Sequence, residues 1–291
     1  MKILLLGSTG MLGQALYVTL SKKYENVLTM SRKDAQYCLD VRTDEKEICE
    51  IILQEQPDIV INAIAIVDLK YCEENKEQAY IVNARFPGIL ANVCKEVGSY
   101  FIQISTDHYF LEKENTLHCE DADVKLVNEY ARTKYIGECL AQTYKESLIV
   151  RTNIVGFRNQ KGRPTFIEWV IQQAQEKQSI IGYADYFTSS IDIYCFSKIL
   201  LELLDIKYTG VLNIASTTAI SKYDFICRFL SVFGLQASIT EGRMEKSSPI
   251  IRANTLGLDT QKLAKILRKN KVPSIDEVIE NLYTYYLEEL L

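Results

Sequence analysis

Residues 2–6, Lys-Ile-Leu-Leu-Leu, make an apolar run that stops at Gly7, too short for a helix and continuous like a strand covered on both faces. Over 11–23 the apolar residues include Leu12, Ala15, Leu16 and Leu20, the three-and-four spacing of one helix face. A second strand is predicted over 26–30, and Ile48, Ile51 and Ile52 mark a helix over 44–54 that Pro57 stops. The near-continuous apolar stretch 58–65 predicts a third strand, followed by a helix over 77–97, a strand over 100–105, a helix over 130–144 and a strand over 148–153. Beyond Gly156 the pattern loosens to helices over 164–177, 194–204, 222–233 and 274–290 and a strand over 211–214. Strands alternating with helices across short connections imply an α/β fold built on a doubly wound parallel sheet.

Composition narrows the function. The chain has 291 residues, 47% hydrophobic and 24% charged, which is ordinary for a soluble globular protein. A net charge of -5 argues against nucleic acid as a partner, because phosphate backbones need a basic face. It leaves room for an anionic nucleotide held by backbone amides and one or two arginines. The apolar run at the N-terminus is too short for a signal peptide, and no stretch approaches the roughly 20 apolar residues of a membrane span. The expected location is the cytoplasm, with no membrane partner. Eight cysteines include no Cys-x-x-Cys pair, and there are two histidines, His108 and His118. Adjacent His118 and Cys119 are poorly placed to reach one ion, so no metal site is expected and the cysteines are expected to be reduced, buried thiols.

Candidate chemistry begins at Gly7-Ser-Thr-Gly10-Met-Leu-Gly13, where glycine recurs every third position between a predicted strand and a predicted helix. Gly7 permits the tight turn, Gly10 lets a pyrophosphate approach the backbone, and Gly13 lets the helix pack on the sheet. At that first strand–helix junction the trio signals a dinucleotide. The chain is therefore expected to divide into a Rossmann-type NAD(P)-binding core over 1–156 and a smaller substrate-binding lobe over 157–291, interleaved with the last elements of the core. The second strand ends at Ser31-Arg32, where NAD-preferring folds often carry an acid. An arginine beside a small hydroxyl suits a 2′-phosphate, so NADP(H) is the preferred cofactor and NAD(H) the alternative.

Tyr130-Ala-Arg-Thr-Lys134 sets a phenol and an ammonium four residues apart, on one helix face. Reducing a ketone by hydride transfer creates an alkoxide that needs a proton. A phenol with a reference pKa of about 10 exchanges protons poorly at neutral pH unless a cation favours its phenolate. Lys134 would supply that field. A hydroxyl from Ser105 or Thr106, at the carboxyl end of the predicted strand 100–105, would orient the carbonyl oxygen, since ligands of open α/β sheets bind at that edge. Tyr109 and Lys113 share the spacing but fall in a predicted loop.

Together these residues resemble the extended short-chain dehydrogenase/reductases, and among them the dTDP-4-dehydrorhamnose reductase family. The resemblance spans nearly the whole chain. It is carried by the glycine turn, Leu39-Asp40-Val41, Pro57-Asp-Ile-Val-Ile-Asn62-Ala63, Cys72-Glu-Glu74, Val82-Asn83-Ala84, Ile104-Ser-Thr-Asp107, Tyr130-Ala-Arg-Thr-Lys134 with Gly137-Glu138, Arg151-Thr152, Thr209-Gly-Val-Leu-Asn213, Ser221-Lys-Tyr-Asp-Phe225 and Leu258-Asp259. It implies that Tyr130 donates the proton, that Lys134 tunes it and binds the cofactor ribose, and that Thr106 orients the sugar carbonyl. Gly7, Gly10, Met11 and Leu12 would follow the pyrophosphate, Ser31 and Arg32 the adenosine ribose, and Asp40 and Val41 the adenine. Ala63, Ile64 and Ala65 would lie on the inner ribose side, and Asp107 near the sugar.

Three departures fall on sugar-facing positions. The family's Ser-Thr-Asp-Tyr-Val-Phe reads Ser105-Thr-Asp-His108-Tyr-Phe110, the loop after Asn62 carries Ile66-Val67-Asp68, and Asn153-Ile154 replaces the family's Ser-Trp. Val67 and Ile154 are expected to contact substrate, whereas His108 also reads as a packing residue. The resemblance implies an NAD(P)H-dependent reductase that moves hydride to a keto group of a nucleotide-linked sugar in cell-surface polysaccharide precursor synthesis, with a homodimer as the assembly it allows. A non-catalytic NADP-binding regulatory subunit and a nucleotide-sugar epimerase or dehydratase are the alternatives.

Overall fold

Ile3, Leu4, Leu5 and Leu6 are wholly buried, as an inner strand of a sheet covered on both faces requires. Each such side chain contributes roughly 1.5–3 kcal/mol of burial. The structure, a computed structural model, describes residues 1–112, 115–160, 162–244 and 250–289. The chain forms two compact units: Met1–His108, Leu126–Arg151 and Ser197–Leu212 in the first, and Tyr109–Lys125, Thr152–Phe196 and Asn213–Leu291 in the second.

Through residue 151 the elements are β1 (Lys2–Leu6), α1 (Met11–Ser21), β2 (Asn26–Ser31), β3 (Tyr37–Cys38), α2 (Glu45–Glu55), β4 (Ile59–Asn62), α3 (Leu69–Glu74), α4 (Lys76–Tyr80), a π-helical turn (Ile81–Arg85), α5 (Phe86–Val97), β5 (Tyr100–Ile104), β6 (Leu117–His118), α6 (Glu129–Ala141) and β7 (Ser147–Arg151). Then follow β8 (Ile154–Val155), α7 (Phe166–Gln175), β9 (Ser179–Tyr183), β10 (Phe187–Thr188), β11 (Ile191–Asp192), α8 (Ile193–Ile206), β12 (Gly210–Asn213), β13 (Ile220–Ser221), α9 (Lys222–Val232), β14 (Ser238–Gly242), β15 (Thr255–Leu258), α10 (Gln261–Ile266) and α11 (Ile275–Glu289).

The first unit is built on a seven-stranded sheet in the order β12-β7-β5-β4-β1-β2-β3. Every pair from β3 to β7 is parallel, so the carboxyl ends of β1, β2, β4, β5 and β7 share one edge. The strand order reverses direction between β1 and β4, where a doubly wound fold opens a crevice for a ligand. This is the expected α/β architecture. In the second unit β13-β10-β15-β6 form a four-stranded sheet, and β8–β11 and β9–β14 form two parallel pairs. Asn213 ties part of it together: its side-chain amide donates to the carbonyls of His118 and Asp259 at 3.0 Å each.

Several boundaries differ from the expectation, each for a local reason. The strand expected over 58–65 ends at Asn62, because the Asn62 side chain accepts the Ile64 amide at 3.1 Å and turns the chain out of the ladder. The helix expected over 77–97 is interrupted by the π-helical turn. Short α3 escapes the periodicity because it buries a single residue, Cys72, and forms on an Asp68 cap that accepts the Tyr71 amide at 2.8 Å. Helix α6 starts at Glu129 because Asn128 caps it, accepting the Ala131 amide at 2.8 Å, and it ends at Ala141.

The cysteines are free, yet Cys38, Cys119 and Cys139 are exposed, which corrects the expectation of buried thiols. His118 is buried and stacked on Phe110 at 3.9 Å between ring centroids, whereas Cys119 is exposed. Among the described residues no three His, Cys, Asp or Glu side chains gather to hold a metal. Nor is any helix there long and apolar enough to cross a membrane.

Candidate active site

The glycine turn leaves β1 with Gly7 at φ +85°, a conformation that a side chain resists. The Gly7 amide donates to the Met30 carbonyl at 2.8 Å and the Gly10 amide to the Gly7 carbonyl at 3.0 Å. A Cβ on Gly13 would lie 2.0 Å from the Gly7 carbonyl oxygen, so α1 packs on the turn that launches it only because position 13 is glycine. Gly10 is the N-cap of α1, with no side-chain cap and no acidic residue in the first turn. The amides at this helix start and the positive end of its dipole are thus left to an external anion, and these residues fit a dinucleotide pyrophosphate. Leu12 is buried and Met11 half-buried beside them.

At the end of β2, Ser31 is buried and its hydroxyl is engaged within the protein. It accepts the Thr9 amide at 3.1 Å and meets the Ser8 hydroxyl at 3.2 Å, bracing the glycine turn. Arg32 is exposed. Asp40 binds the Arg42 guanidinium, with Nε to Oδ1 at 2.9 Å, and Val41 is buried. Hydrogen bonds from Arg42 hold the Asp40 carboxyl below its ordinary range, and the charge of Arg32 adds to the effect. Sequence reasoning missed Arg42. Its signal is a guanidinium two residues after an aspartate in a strand–helix connection.

Ala63, Ile64 and Ala65 follow β4 as a half-buried loop, and Val67 beyond them is 63% exposed. Asn83, in the π-helical turn, clamps this loop: its Oδ1 accepts the Ile66 amide at 2.8 Å and its Nδ2 donates to the Ile66 carbonyl at 2.9 Å. The same Nδ2 reaches the Thr133 hydroxyl of α6 at 3.3 Å. Gly137, one turn further along α6, leaves room for the Asn83 carbonyl, which a Cβ would approach to 2.1 Å. The π-helical turn thus links the loop after β4 to α6.

Helix α6 presents Tyr130 and Lys134 on one stripe, both buried in the folded protein. Lys134 Nζ donates to the Ile104 carbonyl at 2.8 Å, at the end of β5. A buried chain of amides reaches the same carbonyl: Asn62 Nδ2 donates to Gln103 Oε1 at 2.8 Å, and Gln103 Nε2 to the Ile104 carbonyl at 2.8 Å. Thr106 lies just beyond β5, buried, and its hydroxyl hydrogen-bonds the Tyr130 phenol. Asp107 is buried next to it, with Oδ1 at 3.4 Å from the Thr106 hydroxyl. His108 sets its ring edge-on to Tyr130, 5.5 Å between centroids, with Nε2 at 4.0 Å from Asp107 Oδ1. Thr106, Asp107, His108, Tyr130 and Lys134 therefore converge at the carboxyl end of the sheet.

Burial pushes the Tyr130 phenol well above its ordinary value, opposed by the Thr106 hydrogen bond and reinforced by the Asp107 charge. Burial also pushes the Lys134 ammonium down, to about 8, against the pull of the Glu138 carboxylate. Burial is the largest influence on the phenol, and it favours the protonated form that a proton donor needs.

Ser105 is buried, with its amide donating to the Val150 carbonyl at 2.7 Å. Ile154 belongs to the second unit, in β8. Tyr109 is wholly buried, and Lys113, its spaced partner in sequence, lies outside the described residues.

The family described as RmlD substrate binding domain matches residues 1–284. Among relatives, a probable low-salt glycan biosynthesis reductase, Agl14, of Haloferax volcanii is 28% identical over 81% of this chain and 81% of its own length. A dTDP-4-dehydrorhamnose reductase of Escherichia coli is 30% identical over 64% of this chain and 61% of its own. Among solved structures, the Bacillus anthracis dTDP-4-dehydrorhamnose reductase in complex with NADP covers 98% of this chain and 99% of its own with a TM-score of 0.87. At 21% identity that likeness speaks for the fold.

Proposed function

The chain belongs to the RmlD substrate binding domain family of extended short-chain dehydrogenase/reductases, and on that premise we propose that it reduces a keto group of a nucleotide-linked sugar with a nicotinamide cofactor. The observation that carries this reading is the convergence of Thr106, Tyr130 and Lys134 at the sheet edge that also bears the glycine turn. The nicotinamide, when bound, supplies the hydride. Thr106 orients the sugar carbonyl with its hydroxyl. Tyr130, held protonated by burial, gives its proton to the oxygen that becomes the product hydroxyl. Lys134, fixed on the Ile104 carbonyl, carries the positive charge that stabilises the phenolate left behind and binds the cofactor ribose. Gly7, Gly10, Met11 and Leu12 hold the pyrophosphate, and Ala63 to Ala65 border the inner ribose.

The preferred cofactor is NADPH, a reading supported by exposed Arg32 and by an Asp40 already paired with Arg42. Replacing Arg32 with Ala is expected to weaken NADPH affinity about tenfold, as for loss of one charge-assisted contact, and NADH affinity less than about twofold. Fluorescence titration with each cofactor checks this, and an equal loss for both would contradict it. Substrate choice is assigned to Asp107 and Val67, and the setting to polysaccharide precursor synthesis in the cytoplasm. Three exposed free thiols support a reducing compartment.

The activity is tested by following NADPH absorbance against a panel of nucleotide-linked 4-keto sugars. Oxidation with one member is the expected result. Tight cofactor binding with no turnover on any member would instead fit a regulatory subunit.

A further inference from the structure

Helix α6 carries the stripe of Tyr130 and Lys134 one turn further, to Glu138, which is wholly buried. Both Glu138 carboxylate oxygens take the guanidinium of Arg151, the last residue of β7: Nε lies 3.2 and 3.1 Å from them and Nη2 2.9 Å from Oε2. Arg151 is itself only 4% exposed. Such a pair is a weak stability device, because desolvating two ions offsets most of their attraction and apolar residues often serve as well. Its position supports another use.

Lys134, one turn before Glu138, is 3% exposed, and its Nζ donates to a neutral carbonyl rather than to a carboxylate. The groups facing it are Tyr130 and Glu138 on its own helix, the Ile104 carbonyl from β5, and, behind Glu138, Arg151 from β7. Tyr135 and Cys139 of α6 also meet Glu138, and burial raises both, so they are neutral at working pH. Asp107, just beyond the end of β5, acts on Tyr130 instead, and Glu138 is the carboxylate that bears on Lys134, held in place by Arg151.

We infer that Glu138, clamped by Arg151, is a positioning residue that keeps the Lys134 ammonium charged through the neutral range and so sets the alkaline limit of the site. For turnover the inference rests on the reductase reading above; for cofactor binding it needs only the glycine turn and Lys134. Burial alone drives the ammonium toward its neutral form, and the Glu138 carboxylate opposes it. Without that carboxylate only burial would act on the ammonium, toward its neutral form.

Glu138→Gln tests this, with turnover of a keto sugar and NADPH affinity by fluorescence each followed from about pH 6 to pH 10. In the unmodified protein both are expected to fall as pH rises through about 8. In the variant both falls should begin about one pH unit lower, with the loss at pH 6 held within about threefold. Glu138→Asp keeps the charge but retracts it by one methylene. It should move the limit in the same direction by less, and it keeps the test open if the glutamine variant does not fold. A loss by one factor at every pH, or limits that do not move in the folded variants, would overturn the inference. If the unmodified protein turns over no sugar, the reductase reading fails, and the pH dependence of NADPH affinity still decides the role of Glu138.

Discussion

Replacing Tyr130 with Phe is expected to lower turnover of the keto sugar by about 10²–10⁴-fold while leaving NADPH affinity within about twofold. The ring is buried against Cys72, Ala79, Ile66 and Leu69 and meets His108 edge-on, and phenylalanine keeps all of that packing. The variant loses only the phenolic hydroxyl, and with it the hydrogen bond shared with Thr106 and the one proton placed for the developing alkoxide. Neighbouring groups do not replace it. Thr106 is a far weaker acid, and Lys134 is directed to the Ile104 carbonyl. Steady-state turnover set beside a cofactor titration separates the two effects. Turnover within tenfold of the unmodified protein would remove Tyr130 from the chemistry, and a matching loss of NADPH affinity would show that the substitution disturbed the fold.

Gly13→Ala is expected to damage the protein at an earlier level. The added Cβ would sit 2.0 Å from the Gly7 carbonyl oxygen and 2.8 Å from the Ser8 Cα, and both are backbone atoms of the turn. Relief requires α1 to tilt away from β1 or the turn to open, and either displaces the amides that face the pyrophosphate. Overpacking of this kind costs about 1–3 kcal/mol, a fall in Tm of several degrees for a domain of this size. NADPH affinity should drop more than about tenfold, because the displaced donors are the binding site itself. Gly10→Ala is the control for stability, since its Cβ would meet only the Gly7 oxygen, at 3.3 Å. A Gly13→Ala protein that melts and binds NADPH like the original would refute the packing argument for this turn.

The features legible in sequence were those that local chemistry enforces. The turn is legible because the Gly7–Gly13 approach leaves no room for a Cβ, α1 and α2 through their periodic apolar faces, and β1 through its unbroken apolar run. Tyr130 and Lys134 were readable because helix geometry makes a four-residue spacing a contact. What stayed hidden depends on residues brought together from afar. Asn83 reaches back to Ile66 from a π-helical turn that no periodicity encodes, and Asn62, Gln103 and Ile104 form their amide chain across neighbouring strands. Glu138 and Arg151 were visible as residues, but their pairing needs the packing of α6 against the end of β7. The balance of charge at Lys134 was likewise unreadable, because desolvation is a property of the folded surroundings. In the second unit, strands of two residues such as β8, β10 and β13 carry too few positions for an alternating pattern.

The most direct test of the proposed chemistry follows the hydride itself. The protein is given a nucleotide-linked 4-keto sugar with NADPH deuterated at the transferable position, and the product sugar is examined by mass spectrometry and NMR. One deuterium on the former carbonyl carbon, absent from the Tyr130→Phe reaction over the same time, is the expected result. NADPH consumed without deuterium in the sugar, or a sugar rearranged with NADPH unchanged, would contradict a reductase.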